Sequence, residues 1–385
     1  MTHSFDKNIE RAGTSSLKHD ARKAYFGTED IIPLWVADMD LAAPQAVTEA
    51  LIQRASHPIY GYTLYPDSLF ESMQDWFKLR HHWQIEKKSI LMCPGVVPSM
   101  HAAIEALSEP GDGVIIQPPI YPPFFSAITE TKRTLIENPL ILEQGVYRFD
   151  FEHLEQCAAS GAKLLLLCSP HNPAGRVWLK DELEGILDIA RRYDLTIISD
   201  EIHADLIYPD YQQIPLATLA DDIAIVTAVS PSKTFNIPGL GLSCLVTNRR
   251  DDWLAIKSIF DSWHVQASNP FSITAFEAAY RRGEQWLDEL MNYLAETQRQ
   301  VKEFVDTKLP NITLIDSQGT YLLWLDCRKL GLTDDELKSF FINQAKVGMN
   351  PGISFGESGS GFMRMNIAAP RKVIMDACEA IARVL

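Results

Sequence analysis

Positive charge is scarce in this chain: 35 Lys and Arg stand against 50 Asp and Glu over 385 residues, a formal net charge of −15. Such a surface repels a phosphate backbone or an anionic membrane, which excludes general nucleic-acid or membrane binding and leaves room only for local basic pockets. Cysteine is sparse as well. Cys93, Cys157, Cys168, Cys244, Cys327 and Cys378 stand singly, with no C-x-x-C and no close Cys/His spacing suited to zinc, so reduced core thiols are expected and no metal site. No run reaches 18 apolar residues, and the opening MTHSFDKNIERAG lacks the apolar centre of a secretory signal. A cytoplasmic protein is expected. Internal repeats and low-complexity tracts are also missing, and the G-x-G of PGLGLS (238–243) follows no first strand that would make it a dinucleotide signal.

What is present is apolar and alternating. Hydrophobic residues make up 46% of the chain, ample for a large core. GVIIQP (113–118), KLLLLC (163–168), LTIIS (195–199), AIVTAV (224–229) and SCLVTN (243–248) have the pattern of strands covered on both faces. Helical patterns such as KDELEGILDIARRY (180–193) lie between several of them, which predicts an α/β fold built on a mainly parallel sheet. A long charged helical stretch at 275–309 leads away from it toward SQGTYLLWLDC (317–327) and a further helix pattern at 333–346. The predicted organisation is a large domain at 56–285, a smaller α/β domain at 286–385, and an N-terminal segment, 1–55, packed with the smaller domain.

Open parallel sheets bind ligands outside the carboxyl ends of their strands. Those ends carry Asn172 in a Pro-bounded turn, Asp200 and His203 in SDEIHADL, and Ser230, Ser232 and Lys233 in SPSK; Tyr121 follows the strand that starts near 113. A helix start at CPGVV offers the backbone N–H groups of Gly95, Val96 and Val97 to an anion. One cofactor uses all of these groups together: pyridoxal 5′-phosphate. Its phosphate suits the helix start and the serines, its ring nitrogen a buried carboxylate, its phenolic oxygen an amide, its ring face an aromatic side chain, and its aldehyde a lysine.

The motifs N-P-x-G (172–175), S-D-E (199–201), S-x-S-K-T-F-N (230–236) and GFMRMNIAAP (361–370), in this order, resemble the fold-type I PLP enzymes of the aminotransferase class I/II superfamily across essentially the whole chain. PLWVADMDLAAP (33–44), YGYT (60–63) and SDEIHADL resemble, more narrowly, the MalY/PatB cystathionine β-lyase group of C–S lyases. The resemblance implies a seven-stranded sheet, a homodimer with shared active sites, Tyr60 reaching a partner's phosphate, Arg364 holding the substrate carboxylate, and Trp35, Val36 and Ala37 lining the substrate entrance, with Asn172 beside them. Residues 35–40 could equally be a strand packing the small domain. Two positions depart from the aminotransferase pattern: Gly241 stands where those enzymes carry a phosphate-binding arginine, and His203 where they carry a tyrosine.

Each residue also has a plainer reading: Asp200 as a helix cap, the serines as turn residues, Tyr121 as a core aromatic, His203 as a structural histidine, and His81 and His82 as a polar helix end. Lys233 and Asp200 account for cofactor linkage and α-proton removal, which β-elimination and transamination share. The resemblance favours a PLP-dependent C–S β-lyase releasing pyruvate, ammonia and a thiol; an aminotransferase is the alternative. It also allows an added regulatory binding to a transcription activator, although no sequence feature marks such a surface.

Overall fold

The structure, a computed structural model, describes residues 4–385. Seven strands form the large sheet: β1 (Ile90–Cys93), β2 (Gly113–Ile116), β3 (Thr134–Glu137), β4 (Ala162–Cys168), β5 (Thr196–Asp200), β6 (Ile225–Val229) and β7 (Ser243–Thr247). Their order is β1-β7-β6-β5-β4-β2-β3, and only β7 runs antiparallel to its neighbours. The five apolar runs of the sequence are five of these strands; β1 and β3 complete the sheet.

Period-two geometry explains why the runs are apolar on both sides. Along β4, Leu165 and Leu167 enter one core with Ile115, Ile197 and Ile225, while Leu164 and Leu166 enter another with Val114, Ile198 and Val226. One of the covering helices spans Lys180–Tyr193, as its pattern predicts. Asp181 and Glu182 lie in its first turn and Arg191 and Arg192 in its last, matching the helix dipole, and Asp194 ends it in the left-handed region.

The charged stretch after residue 270 is two helices, Pro270–Arg282 and Glu284–Lys308, broken at Gly283. A Cβ at Gly283 would lie 2.3 Å from the Phe235 ring, so the break also lets the second helix pass close to the lysine-bearing loop. The smaller domain carries an antiparallel sheet of β8 (Thr313–Leu314), β9 (Leu322–Asp326), β10 (Asn350–Pro351) and β11 (Phe362–Asn366), ordered β8-β9-β11-β10.

The N-terminal segment is divided between the two domains, which corrects the expectation that it packs with the smaller one. Ile32–Pro33 pairs in parallel with Val347–Gly348, but the helix Gln45–Ser56 lies along Pro270–Arg282. Among the described residues no helix is long and apolar enough to cross a membrane, and all six cysteines are free and buried.

Candidate active site

Register places the expected groups side by side. Cys168, the last residue of β4, pairs with Asp200, the last of β5, and Asp200 pairs in turn with Ala228 of β6. The chain leaves these ends as the turn bearing Asn172, the loop bearing His203, and the short helical turn Pro231–Thr234 bearing Lys233.

Asp200 is buried and accepts the N–H of Ile202 at 3.1 Å. Burial, opposed in part by that N–H and by the charge of Lys233, pushes its pKa up to about 6. Lys233 is half-buried. Burial first, and then the Arg364 charge, lower its pKa to about 8, against the pull of Asp38 and Asp200. The amine donates to the carbonyl of Ala37 at 2.7 Å.

Arg364, on β11, reaches across to the large domain. It donates to Asn172 Oδ1 (2.9 Å), Asn350 Oδ1 (2.8 Å) and Trp35 O (3.1 Å), and its Nε is buried without a partner. Every partner is neutral. Burial lowers its pKa to about 10, and a desolvated guanidinium with a spare donor calls for an anion such as an amino-acid carboxylate. His203 is buried, with Nδ1 unpartnered; burial, then Lys233 and Arg364, lower its pKa to about 3, so the ring stays neutral. Tyr121 is half-buried, and its phenol is raised by burial.

The helix Val96–Leu107 begins after Gly95 without a side-chain cap, so its first N–H groups remain available to an anion. Ser230 is engaged: its hydroxyl donates to Leu242 O and accepts the N–H of Ser232, which caps the lysine turn. Ser232 has the freer hydroxyl of the two serines expected at the phosphate. Gly241 has φ +44°, a left-handed conformation that strains any side chain, so an arginine is disfavoured there by the backbone itself. Gly175, at φ +67°, is required twice over, because a Cβ would meet Ser317 Oγ at 2.4 Å.

Residues 35–37 correct one expectation. The Trp35 indole is buried between Tyr25 and Phe26 and donates to Lys18 O, so it packs the N-terminal segment instead of lining an entrance. Its carbonyl, with those of Val36 and Ala37, faces Arg364, Asn366 and Lys233. Tyr60 lies apart from this cluster, 57% exposed, with its hydroxyl on Ala55 O.

His81 does end its helix, as expected, but it is a buried partner of Asp205. Asp205 accepts from His81 Nε2 (2.8 Å), Trp76 Nε1 (3.0 Å) and Thr234 Oγ1 (3.0 Å), joining the helix Asp67–His81 to the residue beside Lys233. A lone acid in the otherwise apolar run after His203 was the available signal. Asp205→Ala would strand these donors, and a loss of about 3 kcal/mol is expected in urea unfolding.

Residues 29–381 match the family described as aminotransferase class I and II. The chain belongs to that family. Within the aminotransferase class I and II family it is 38% identical to cystathionine beta-lyase PatB of Bacillus subtilis (strain 168), over 99% of each chain. It is 35% identical to protein MalY of Escherichia coli (strain K12), over 95% of each. Cystalysin from Treponema denticola, whose crystal structure contains a pyridoxal 5′-phosphate cofactor, superposes with a TM-score of 0.97 at 36% identity, covering 100% of this chain and 99% of that one.

Proposed function

We propose that this protein is a pyridoxal 5′-phosphate-dependent C–S β-lyase that converts cystathionine or a related S-substituted cysteine to pyruvate, ammonia and a thiol. The observation that carries the reading is the alignment, over nearly the whole chain, with a cystathionine beta-lyase. The donor set fits the cofactor: a buried acid of raised pKa, an amine whose pKa burial lowers, a helix start without a side-chain cap, and a buried guanidinium whose Nε has no partner.

The cofactor, when bound, supplies an aldehyde for an amine and a ring that accepts the electron pair left by α-proton removal. Lys233 would hold the aldehyde, and Asp200, set at the end of β5, would supply the negative charge that favours a protonated ring nitrogen. Asn172 and neutral His203 would hydrogen-bond the cofactor, Tyr121 would pack against it, and the N–H groups at Gly95, Val96 and Val97 with Ser232 would bind its phosphate. Arg364 binds the substrate α-carboxylate. The Lys233 amine, when free, would take the substrate α-proton and could deliver it to the departing sulfur.

Incubation with cystathionine and no added keto acid should release pyruvate, ammonia and thiol in equal amounts. Consumption that waits for 2-oxoglutarate or pyruvate as amino acceptor would replace this reading with an aminotransferase.

The working unit is a homodimer in the cytoplasm, in keeping with six free thiols. Residues 57–66 expose Ile59, Tyr60, Tyr62 (fully exposed) and Leu64 (88%) beside Ile52, an apolar patch of the kind that a second copy covers. Tyr60 in this patch is the residue that would reach the partner's phosphate. Sedimentation should give a dimer, and Leu64→Asp should shift it toward monomer with loss of cofactor retention.

A further inference from the structure

Residues 35–38 present their carbonyls to the cleft like a rail. Trp35 O accepts from Arg364, and Val36 O and Asp38 O accept from Asn366 Nδ2. Ala37 O accepts twice, from Lys233 Nζ at 2.7 Å and from the Tyr321 hydroxyl at 3.0 Å. The rail is tied from outside by ion pairs: Arg11 with Asp38 (2.7 Å) and Asp40 (2.6 Å), and fully buried Lys18 with Asp40 (2.8 Å). Asn236, in the lysine loop, grips it again at Met39 N and O. Ala37 O is therefore a fixed point. Tyr321 is fully buried immediately before β9, with its ring edge-on to His203 at 6.2 Å.

We propose that Tyr321 is a positioning residue for the reaction: its hydroxyl holds the Ala37 carbonyl as the resting place of the free Lys233 amine and limits how tightly that oxygen retains the amine. This deepens the lyase reading and rests on it.

The physical reason lies in the charge state of the base. An ammonium binds a carbonyl through a charge-assisted hydrogen bond, stronger than that of a neutral amine, so an unshared carbonyl would favour the protonated lysine. A base must be neutral to take a proton. A carbonyl that already accepts from a phenol has less to offer the ammonium, and the shared geometry keeps the amine available. Burial raises the Tyr321 pKa, so the hydroxyl remains a donor while Lys233 changes state. Of the other groups facing the amine, Arg364 disfavours its charge, Asp38 and Asp200 favour it, and the His203 ring is neutral; Tyr121 lies next to Arg364 and Tyr321, with its phenol protonated.

Tyr321→Phe keeps the ring and removes the hydroxyl. The holoenzyme variant should show the acid limb of kcat for β-elimination from cystathionine moved up by about half to one pH unit, with KM little changed. Asp38→Asn, which removes a charge that favours the ammonium, should move the limb down. After cofactor removal, competitive acetylation of Lys233 by acetic anhydride, read by peptide mass spectrometry, should order the midpoints the same way: Asp38→Asn lowest, wild type between, Tyr321→Phe highest. A Tyr321→Phe midpoint at or below that of the wild type overturns the proposal. If the wild type forms no pyruvate from cystathionine, the lyase reading fails by itself, and the acetylation order still decides the role of Tyr321. Thermal melts of both variants identify any shift that comes from a damaged fold.

Discussion

Lys233→Ala is expected to lower pyruvate release from cystathionine by about three orders of magnitude or more, because in the proposed mechanism one side chain supplies both the covalent hold on the cofactor and the base for the α-proton. The fold should tolerate the change. The amine makes no ion pair within the cleft, and Ala37 O keeps the Tyr321 hydroxyl as its donor, so no buried acceptor is orphaned. A coupled lactate dehydrogenase assay reads the rate, and loss of the borohydride-reducible absorbance band reads the missing link. Activity within tenfold of the wild type would place the base elsewhere.

Asp200→Ala should reduce α-proton exchange by about two to four orders of magnitude, since on the proposed reading the ring loses the buried anion that keeps its nitrogen protonated. Solvent deuterium incorporation into a substrate measures this directly, and unchanged exchange would move the ring partner to another residue. The same variant should stabilise the cofactor-free protein near neutral pH. Asp200 has a folded pKa of about 6, above its unfolded value. Its contribution to stability is thus complete below the ordinary carboxylate range and is lost as pH rises through about 6. Above that window the wild type carries a buried charge that the variant lacks, so melting temperatures should diverge there and converge in acid.

The fold was legible where one physical requirement dominates the sequence. Strands covered on both faces must be apolar at every position, so β4, β5 and β6 stand out as unbroken runs. A parallel sheet then fixes the end of each strand at which polar residues gather, which is how Asn172, Asp200 and Lys233 could be joined although they are far apart in the chain. The edge strand β3, with its partly exposed sequence TLIE, and the four-residue β1 carry a weaker pattern. The docking of the helix Gln45–Ser56 along Pro270–Arg282 was not legible, because it depends on a surface more than 200 positions away.

At the site, the sequence by itself determined the residue types: an amine, a carboxylate, an amide and a guanidinium in motifs whose order admits one cofactor chemistry. Only the tertiary structure decided how their properties are set. Burial, which no local pattern encodes, raises Asp200, lowers Lys233 and leaves Arg364 without an anion. Backbone carbonyls have no sequence signature, so the parts played by Ala37 O and Trp35 O, and through them by Tyr321, arise only when residues 35–38 are laid against β11 and the lysine turn. Packing also turns Trp35 inward and, elsewhere, joins His81 to Asp205. Residue identity fixes what chemistry a group can perform, and long-range packing fixes which partners and how much water it keeps.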